Sequence, residues 1–390
     1  MRSAKRQAAS RRTARIARIL RIRRLRLEAY RQGMLDGWRV GACRAIAALM
    51  PVQPPARRNL RLMYVPQGFE AIDAGTTAAL QESVAELHVV EAARMGEAAA
   101  ALRPDAVVVL NGLHVFPANH LQQVAAIRSL GIPTAIWFVD DPYCTDDTVA
   151  IAPHYDIVFT AERTCVSLYQ SIGCPHVHHL PVAVHPLLYQ PMPVPEKYRT
   201  DVCFIGNAFL NRVQIIDAIA PVLKGKRVYI GGLSWRRLAR FEQLRPFIHE
   251  GWTEVPETIK YYNGAKIVIN LHRTPEAHKD NRNSRNWPAE SVNPRTFEMA
   301  ACGAFQLTDR RAELPVHFRT DDPGEASPEI ATFYTPEELA FKIEYYLRHG
   351  EERNRIAVRG FRRTLRDHTF ARRIGGMLDV LEAHLASRNG

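Results

Sequence analysis

The chain lacks the features that would take it out of an ordinary globular setting. No stretch approaches the roughly 18 consecutive apolar residues that a membrane-crossing helix needs, so no span is expected. Cysteine is sparse. The six thiols (43, 144, 165, 174, 203, 302) form no C-x-x-C pair and show no histidine spacing typical of zinc, so neither a disulfide frame nor a zinc site is expected. Scattered single thiols fit a reducing, cytoplasmic compartment. The basic N-terminus has no apolar run behind it and does not read as a secretory signal. Acid is absent from residues 1–27, which hold eleven basic side chains (Arg2, Lys5, Arg6, Arg11, Arg12, Arg15, Arg18, Arg21, Arg23, Arg24 and Arg26). The whole chain carries a formal +12, so everything after Leu27 is near neutral. The basic balance therefore describes an arm rather than a fold, and no specific nucleic-acid partner is expected.

What is present is enough for two full cores: 390 residues, 46% hydrophobic and 24% charged. Residues 1–58 read as a basic arm and linker. Ile16, Ile19, Leu20 and Leu27 recur at helical spacing, with Ile22 and Leu25 off that stripe, and Pro51, Pro54 and Pro55 end the segment. Such an arm reads either as a solvated or frayed tail or as a helix docking on an anionic surface, which would make the protein peripheral to the inner face of the membrane. Residues 59–190 alternate strand and helix: Leu60–Val65, helix Thr76–Leu87, Ala106–Leu110, helix Leu121–Leu130, Thr134–Val139, Asp156–Thr160 and helix Cys165–Ser171. Pro186, Pro191, Pro193 and Pro195 mark a second linker. A new α/β series fills 198–350, and helices occupy 351–390. Residues 273–292 are polar and read as a mobile loop. The expected fold is α/β: two doubly wound, Rossmann-like domains facing a cleft, with a basic helical arm.

Ligands in such sheets bind at the carboxyl ends of strands, and four polar clusters fall there: Asn111-Gly112, Asp140-Asp141, Gly206-Asn207 and His272-Arg273. The fifth feature is the stretch 291–303. Asn293 reads as an N-cap and Pro294 as the first helical residue, with Arg295 in the first turn and Glu298 one turn in. A helix N-terminus with an added guanidinium suits a phosphate, and a carboxylate one turn away suits the diol of a ribose. The histidines at 176, 178, 179 and 185 read as residues alternating along a strand rather than as metal ligands.

Asp201-Val-Cys-Phe-Ile-Gly-Asn207, Arg212, Ile269-Asn-Leu-His-Arg273, Asn293-Pro-Arg-Thr-Phe-Glu298 and Cys302-Gly-Ala-Phe-Gln-Leu-Thr-Asp309 resemble the CgeB-type spore-maturation family of glycosyltransferases. So do His368-Thr-Phe with Arg372 and Arg373, and Trp137-Phe-Val-Asp-Asp-Pro-Tyr143. The resemblance runs from about residue 60 to 385 and leaves the arm uncovered. It implies a GT-B fold and a hexosyltransferase-type enzyme using a nucleoside-diphosphate sugar, UDP- or dTDP-linked, held by the C-terminal domain. Glu298 would hold the ribose, and Arg212, His272 and Arg295 would neutralise the diphosphate. The full donor set is Gly206, Asn207, Arg212, His272, Arg273, Asn293, Arg295, Thr296 and Glu298. Related retaining enzymes carry two glutamates with seven residues between them. Glu290 and Glu298 match that spacing, but Glu290 precedes the N-cap in a polar loop and the match reads as coincidence.

Glycosyl transfer loads negative charge onto the leaving diphosphate. Enzymes of the GT-A type meet that charge with a metal on a D-x-D motif. The acidic pairs here (140–141, 146–147 and 321–322) are not D-x-D, so arginines and a helix N-terminus are expected to act without metal or other cofactor. Asp141 or Asp140, at a strand end facing the cleft, is the candidate base for a glycan, protein or lipid acceptor. Two rival readings differ in outcome. A nucleotide-sugar epimerase of the same fold would convert donor without acceptor. A non-catalytic binding protein for an anionic polymer or membrane would show arm-dependent binding and no transfer.

Overall fold

The computed structural model describes residues 2–50, 56–276 and 278–389, with side chains from Arg15 to Arg388. One helix, α1, runs from Arg2 to Leu49. The N-terminal domain follows: β1 (Arg58–Val65), α2 (Glu70–Ser83), β2 (Val84–Val89), α3 (Met95–Leu102), β3 (Ala106–Leu110), α4 (His120–Ser129), β4 (Thr134–Phe138), α5 (Thr145–Ile151), β5 (Ile157–Thr160), α6 (Cys165–Ser171) and β6 (Val177–His179). Its six strands are all parallel in the order β2-β1-β3-β4-β5-β6. Strands such as Ala106-Val-Val-Val-Leu110 are buried at every position, because helices cover both faces of the sheet.

The C-terminal domain repeats the plan with β7 (Thr200–Ile205), α7 (Leu210–Leu223), β8 (Val228–Gly232), α8 (Phe241–Leu244), β9 (Ile248–Glu250), α9 (Val255–Gly264), β10 (Ala265–Asn270), α10 (Pro294–Ala301), β11 (Gln306–Asp309), α11 (Leu314–His317), β12 (Ala331–Phe333) and α12 (Pro336–Arg348). Strand order is β12-β11-β10-β7-β8-β9, again all parallel. The order reverses between β7 and β10, so the turns after these two strands flank the crevice where such sheets take ligands. Helix α13 (Gly350–Asp367) stays with this domain, whereas α14 (Phe370–Asn389) returns to the first one. Phe370, Ile374, Met377 and Leu378 of α14 join the core beneath β1, β3 and β4. At the crossover, Val184 pairs with Thr369, and His368 Nε2 donates to the His317 carbonyl (3.0 Å).

Three expectations need correction. The helix read as Thr76–Leu87 spans Glu70–Ser83 and is followed at once by β2. That strand lies at the sheet edge, mostly exposed, so it carries no continuous apolar run to announce it. Residues 273–292 are not a free loop. They lie along the N-terminal domain, where Arg282 donates its N–H to the Tyr143 carbonyl (2.8 Å) and Asp146 donates its N–H to the Arg282 carbonyl (2.9 Å). Thr145 and Asn283 pair at 2.8 Å, and the Ser284 hydroxyl bonds Asp146 at 2.7 Å. The third correction concerns the arm. Its described basic residues up to Leu27 are exposed, but from Leu35 onward α1 packs on the C-terminal domain, with Arg199 paired to Asp36 (2.8 Å) and Cys43 fully buried. Of the linker read at 51–58, residues 51–55 fall outside the described residues, and Arg58 already begins β1.

Candidate active site

The carboxyl ends of the two sheets face each other across a cleft of about 500 Å³. On the C-terminal side, β7 ends in the Gly206-Asn207 turn, which packs directly on the end of β8. A Cβ at Gly232, whose φ is +136°, would stand 2.2 Å from the Gly206 carbonyl oxygen, so only glycine lets the two turns approach. Arg212, in the first turn of α7, is buried. Its Nε donates to the Leu271 carbonyl (3.0 Å) and its Nη1 to the Asn207 carbonyl (3.1 Å), which ties together the turns on either side of the crossover point. The ring of Phe209 lies 4.7 Å from its guanidinium carbon. Burial, then repulsion from Arg295, brings the Arg212 guanidinium down to about 9.

Arg273 sits between the rings of Tyr143 (4.8 Å) and Phe209 (4.5 Å) and bonds Asn281 and the Asp280 carbonyl. Arg295 lines the cleft and makes no hydrogen bond or ion pair among the described residues. None of the three arginines forms an ion pair among the described residues. Like charges thus converge on one space, where Glu298 and Asp140 also line the cleft without forming an ion pair to any of the three.

Helix α10 opens as its sequence implies. The Asn293 side chain accepts the Thr296 N–H (3.1 Å), and Pro294 holds the first helical position. That cap consumes the Thr296 N–H, and Pro294 has none, so Arg295 supplies the remaining N–H of the first three positions. Thr296 is fully buried; its hydroxyl lies between Asn293 (3.3 Å) and Asn270 (2.9 Å), within the cap and away from the cleft. Glu298 lines the cleft one turn in, beside Tyr189 and Tyr262, and burial pushes its carboxyl up to about 7 against the pull of Arg295.

His272 does not face the cleft. It is fully buried, with Nδ1 2.7 Å from the Asp309 carboxylate, which also accepts the His272 N–H (2.9 Å). Burial lowers the imidazole's affinity for a proton despite that carboxylate. The neutral ring therefore anchors the β10 turn and presents Arg273 to the cleft.

On the N-terminal side, the turn after β4 carries both acidic candidates, and their environments separate them. Asp141 is buried, and its carboxylate accepts from the hydroxyls of Thr160 (2.7 Å), Tyr169 (2.8 Å) and Thr148 (3.3 Å). Burial raises it to about 6, and the hydroxyls hold it below that of an unpartnered buried acid. Asp140 is half-buried and lines the cleft. It accepts from Asn111 Nδ2 (2.7 Å), with His114 Nε2 3.4 Å away. Asn111 is fully buried at φ +62°, and its Oδ1 takes the N–H groups of Val139 (3.0 Å) and Asp140 (3.3 Å). The same side chain thus fixes both the turn and the carboxylate.

Sequence reading did not single out the residues that clasp the domains. Glu162, after β5, is buried and accepts the N–H groups of Glu290 (3.1 Å) and Ser291 (3.0 Å), just before the α10 cap. The Tyr143 hydroxyl donates to the Arg273 carbonyl (2.9 Å). Glu290 itself turns outward to Arg163 (2.7 Å) and does not line the cleft. The histidines near 176–185 include His179 at the end of β6, 3.5 Å from Glu313. Among the described residues no three His, Cys, Asp or Glu side chains are grouped to hold a metal.

This geometry has counterparts among solved structures. The chain superposes on the Anabaena HepE structure in complex with UDP and glucose with a TM-score of 0.56 at 10% identity, covering 83% of this chain and all of that one. It superposes on the catalytic domain of Arabidopsis thaliana starch synthase IV bound to ADP and acarbose with a TM-score of 0.58 at 9% identity, covering 85% and 100%. The sucrose-phosphate synthase of Thermosynechococcus elongatus gives 0.55 at 11% identity, covering 84% and 100%. These likenesses establish the GT-B fold. A family model described as glycosyl transferase-like matches residues 212–379, the span that contains Arg212, Arg273, Arg295 and Glu298. Spore protein CgeB of Bacillus subtilis (strain 168) is 30% identical over 247 residues, covering 63% of this chain and 74% of that protein. On this identity and coverage the chain belongs to the CgeB family of GT-B glycosyltransferases.

Proposed function

We propose that the cleft transfers a sugar from a nucleoside-diphosphate sugar, UDP- or dTDP-linked, to an acceptor hydroxyl, and that cationic side chains do the work a metal does elsewhere. The observation that carries this reading is the convergence of Arg212, Arg273 and Arg295 without an ion pair. Buried and half-buried like charges repel strongly in a medium of low dielectric, and a diphosphate would relieve that repulsion. In transfer, the acceptor oxygen bonds the anomeric carbon as the bond to the diphosphate oxygen breaks. The bonding pair stays on the diphosphate, and the guanidiniums together with the Arg295 N–H meet the charge that develops there. The Gly206-Asn207 backbone lies close enough to the crevice to touch phosphate, and Glu298 accepts from the ribose diol.

The acceptor's proton goes to Asp140. Both aspartates line the cleft, but Asp141, the first choice on sequence grounds, is buried and engaged by three hydroxyls, whereas Asp140 is half-buried and accepts from Asn111. The exposed basic end of α1 offers a separate role as the contact with an anionic bilayer. Each Lys or Arg near such a surface adds up to about 1 kcal/mol, which salt weakens.

Three outcomes test this. Glu298→Gln should weaken nucleotide-sugar binding about ten- to a hundredfold, the value of a hydrogen bond to a charged group. The wild-type carboxyl, raised to about 7, is protonated below that pH and a full acceptor above it, so donor affinity should climb between pH 6 and 8. The Gln variant should show a flat profile. A nucleotide sugar is the right ligand, since its diphosphate does not titrate in this window. A 2′,3′-dideoxy donor should lose as much in wild type and little further in the variant, and additive losses would show that Glu298 does not touch the ribose.

Asp140→Asn should lower turnover by about a hundredfold or more while leaving donor affinity within twofold, and Asp141→Asn should keep turnover within about tenfold of wild type. The reverse ranking would return the base to Asp141. Removing residues 1–27 should abolish binding to anionic vesicles at low salt and leave donor affinity unchanged, because the docked part of α1 begins beyond the cut; undiminished vesicle binding would dismiss the arm's role.

A further inference from the structure

Helix α1 does more than carry a basic end. Arg39, four turns beyond the last exposed arginine cluster, is buried against the C-terminal domain. Its Nη1 donates to the Gly303 carbonyl (2.7 Å) and, more weakly, to that of Cys302 (3.4 Å), at the C-terminal end of α10. Its Nη2 donates to the Asn263 carbonyl (2.8 Å) in the last turn of α9. No carboxylate pairs with it. Both helices point their opposite ends at the cleft: Val255 and Thr258 of α9, and Pro294, Arg295 and Glu298 of α10, all line it.

We propose that Arg39 is a positioning residue for the donor site, bolting together the rear ends of the two helices whose front ends face the diphosphate sugar. A guanidinium forks in a plane, so two N–H arms can hold two carbonyl sets at a fixed separation, which a single ammonium cannot do. A cation at a helix C-terminus also complements the carbonyl end of the dipole, and here one cation serves two helices. Packing admits little slack. Gly303 adopts φ +61°, and a Cβ there would stand 2.7 Å from Cys43 Sγ, one turn along α1 from Arg39. Asn263 is held in turn, accepting the Met192 N–H (2.8 Å) and donating to the Gln190 carbonyl (3.0 Å). An error in the angle between α9 and α10 at the rear is carried to Arg295 and Glu298 at the front, since each helix spans only eight to ten residues.

This inference rests on the donor reading of the cleft, and the test separates the two. UDP, dTDP, ADP and GDP are titrated calorimetrically into full-length wild type, Arg39→Ala, Arg39→Lys and Asp36→Asn. Asp36→Asn loosens the same helix from Arg199 without touching α9 or α10, and it serves as the structural control. If wild type binds none of the four, the donor reading fails. If it binds, Arg39→Ala should lose about tenfold for the preferred nucleotide and Arg39→Lys about threefold, with millimolar guanidinium ion restoring part of the Ala variant's affinity. Asp36→Asn should lower the melting temperature and bind like wild type. Unchanged affinity in Arg39→Lys together with Arg39→Ala would overturn the proposal, and so would an equal loss in Asp36→Asn. Should the Ala variant fail to fold, an unchanged Lys variant alone overturns it.

Discussion

The cleft is organised by a repulsion. Arg212, Arg273 and Arg295 bring three guanidiniums to one partly buried crevice; Asp309 is committed to His272, Asp141 to three hydroxyls and Glu162 to backbone N–H groups, while Glu298 and Asp140 line the crevice without an ion pair to any of the three. Like charges held this close repel, and a multiply charged anion would relieve that repulsion. The surrounding structure holds the charges in place. Arg212 is fixed by two carbonyls, Arg273 is clamped between two rings, and Arg295 rides on a helix whose start is set by Asn293 and whose rear is held by Arg39. The clasp formed by Glu162 and Tyr143 keeps the N-terminal domain over this side of the crevice.

Burial decides which polar residues can do chemistry. Asp140 and Asp141 are adjacent in the chain and both line the cleft, yet Asp140 stays half-buried beside Asn111 while the Asp141 carboxylate is held in a nest of Thr148, Thr160 and Tyr169. His272 and Arg273 divide in the same way: the histidine is an anchor and the arginine lines the cleft. Thr296 belongs to the helix cap, and Glu298 to the cleft.

Much of this was legible before any coordinates. The alternating strands, the glycine turn after β7 and the Asn293-Pro294 helix start are local signals, and local chemistry produces them in the fold. The edge strand β2 was not legible, because its exposed residues break the apolar run. The segment 273–292 was misjudged for a related reason: its polarity reads as solvation, whereas Arg282, Asn283 and Ser284 use their polar groups to bond a surface more than a hundred residues away in sequence. The choice between Asp140 and Asp141, the inward turn of His272 and the strap made by Arg39 depend on partners brought together only by the fold. Length and charge could mark α1 as basic but could not show that its second half is part of the C-terminal domain.

The central claim, that unpaired arginines take the diphosphate, is most directly tested by comparing a nucleoside with its monophosphate and diphosphate by titration calorimetry in the presence of EDTA. Each hydrogen bond to a charged group is worth about 1.5–3 kcal/mol, so affinity should climb by roughly tenfold or more from nucleoside to diphosphate, fall with added salt, and stay the same when EDTA is left out. A nucleoside that binds as tightly as its diphosphate would contradict the account, as would diphosphate binding that is lost in EDTA and restored by Mg²⁺ or Mn²⁺.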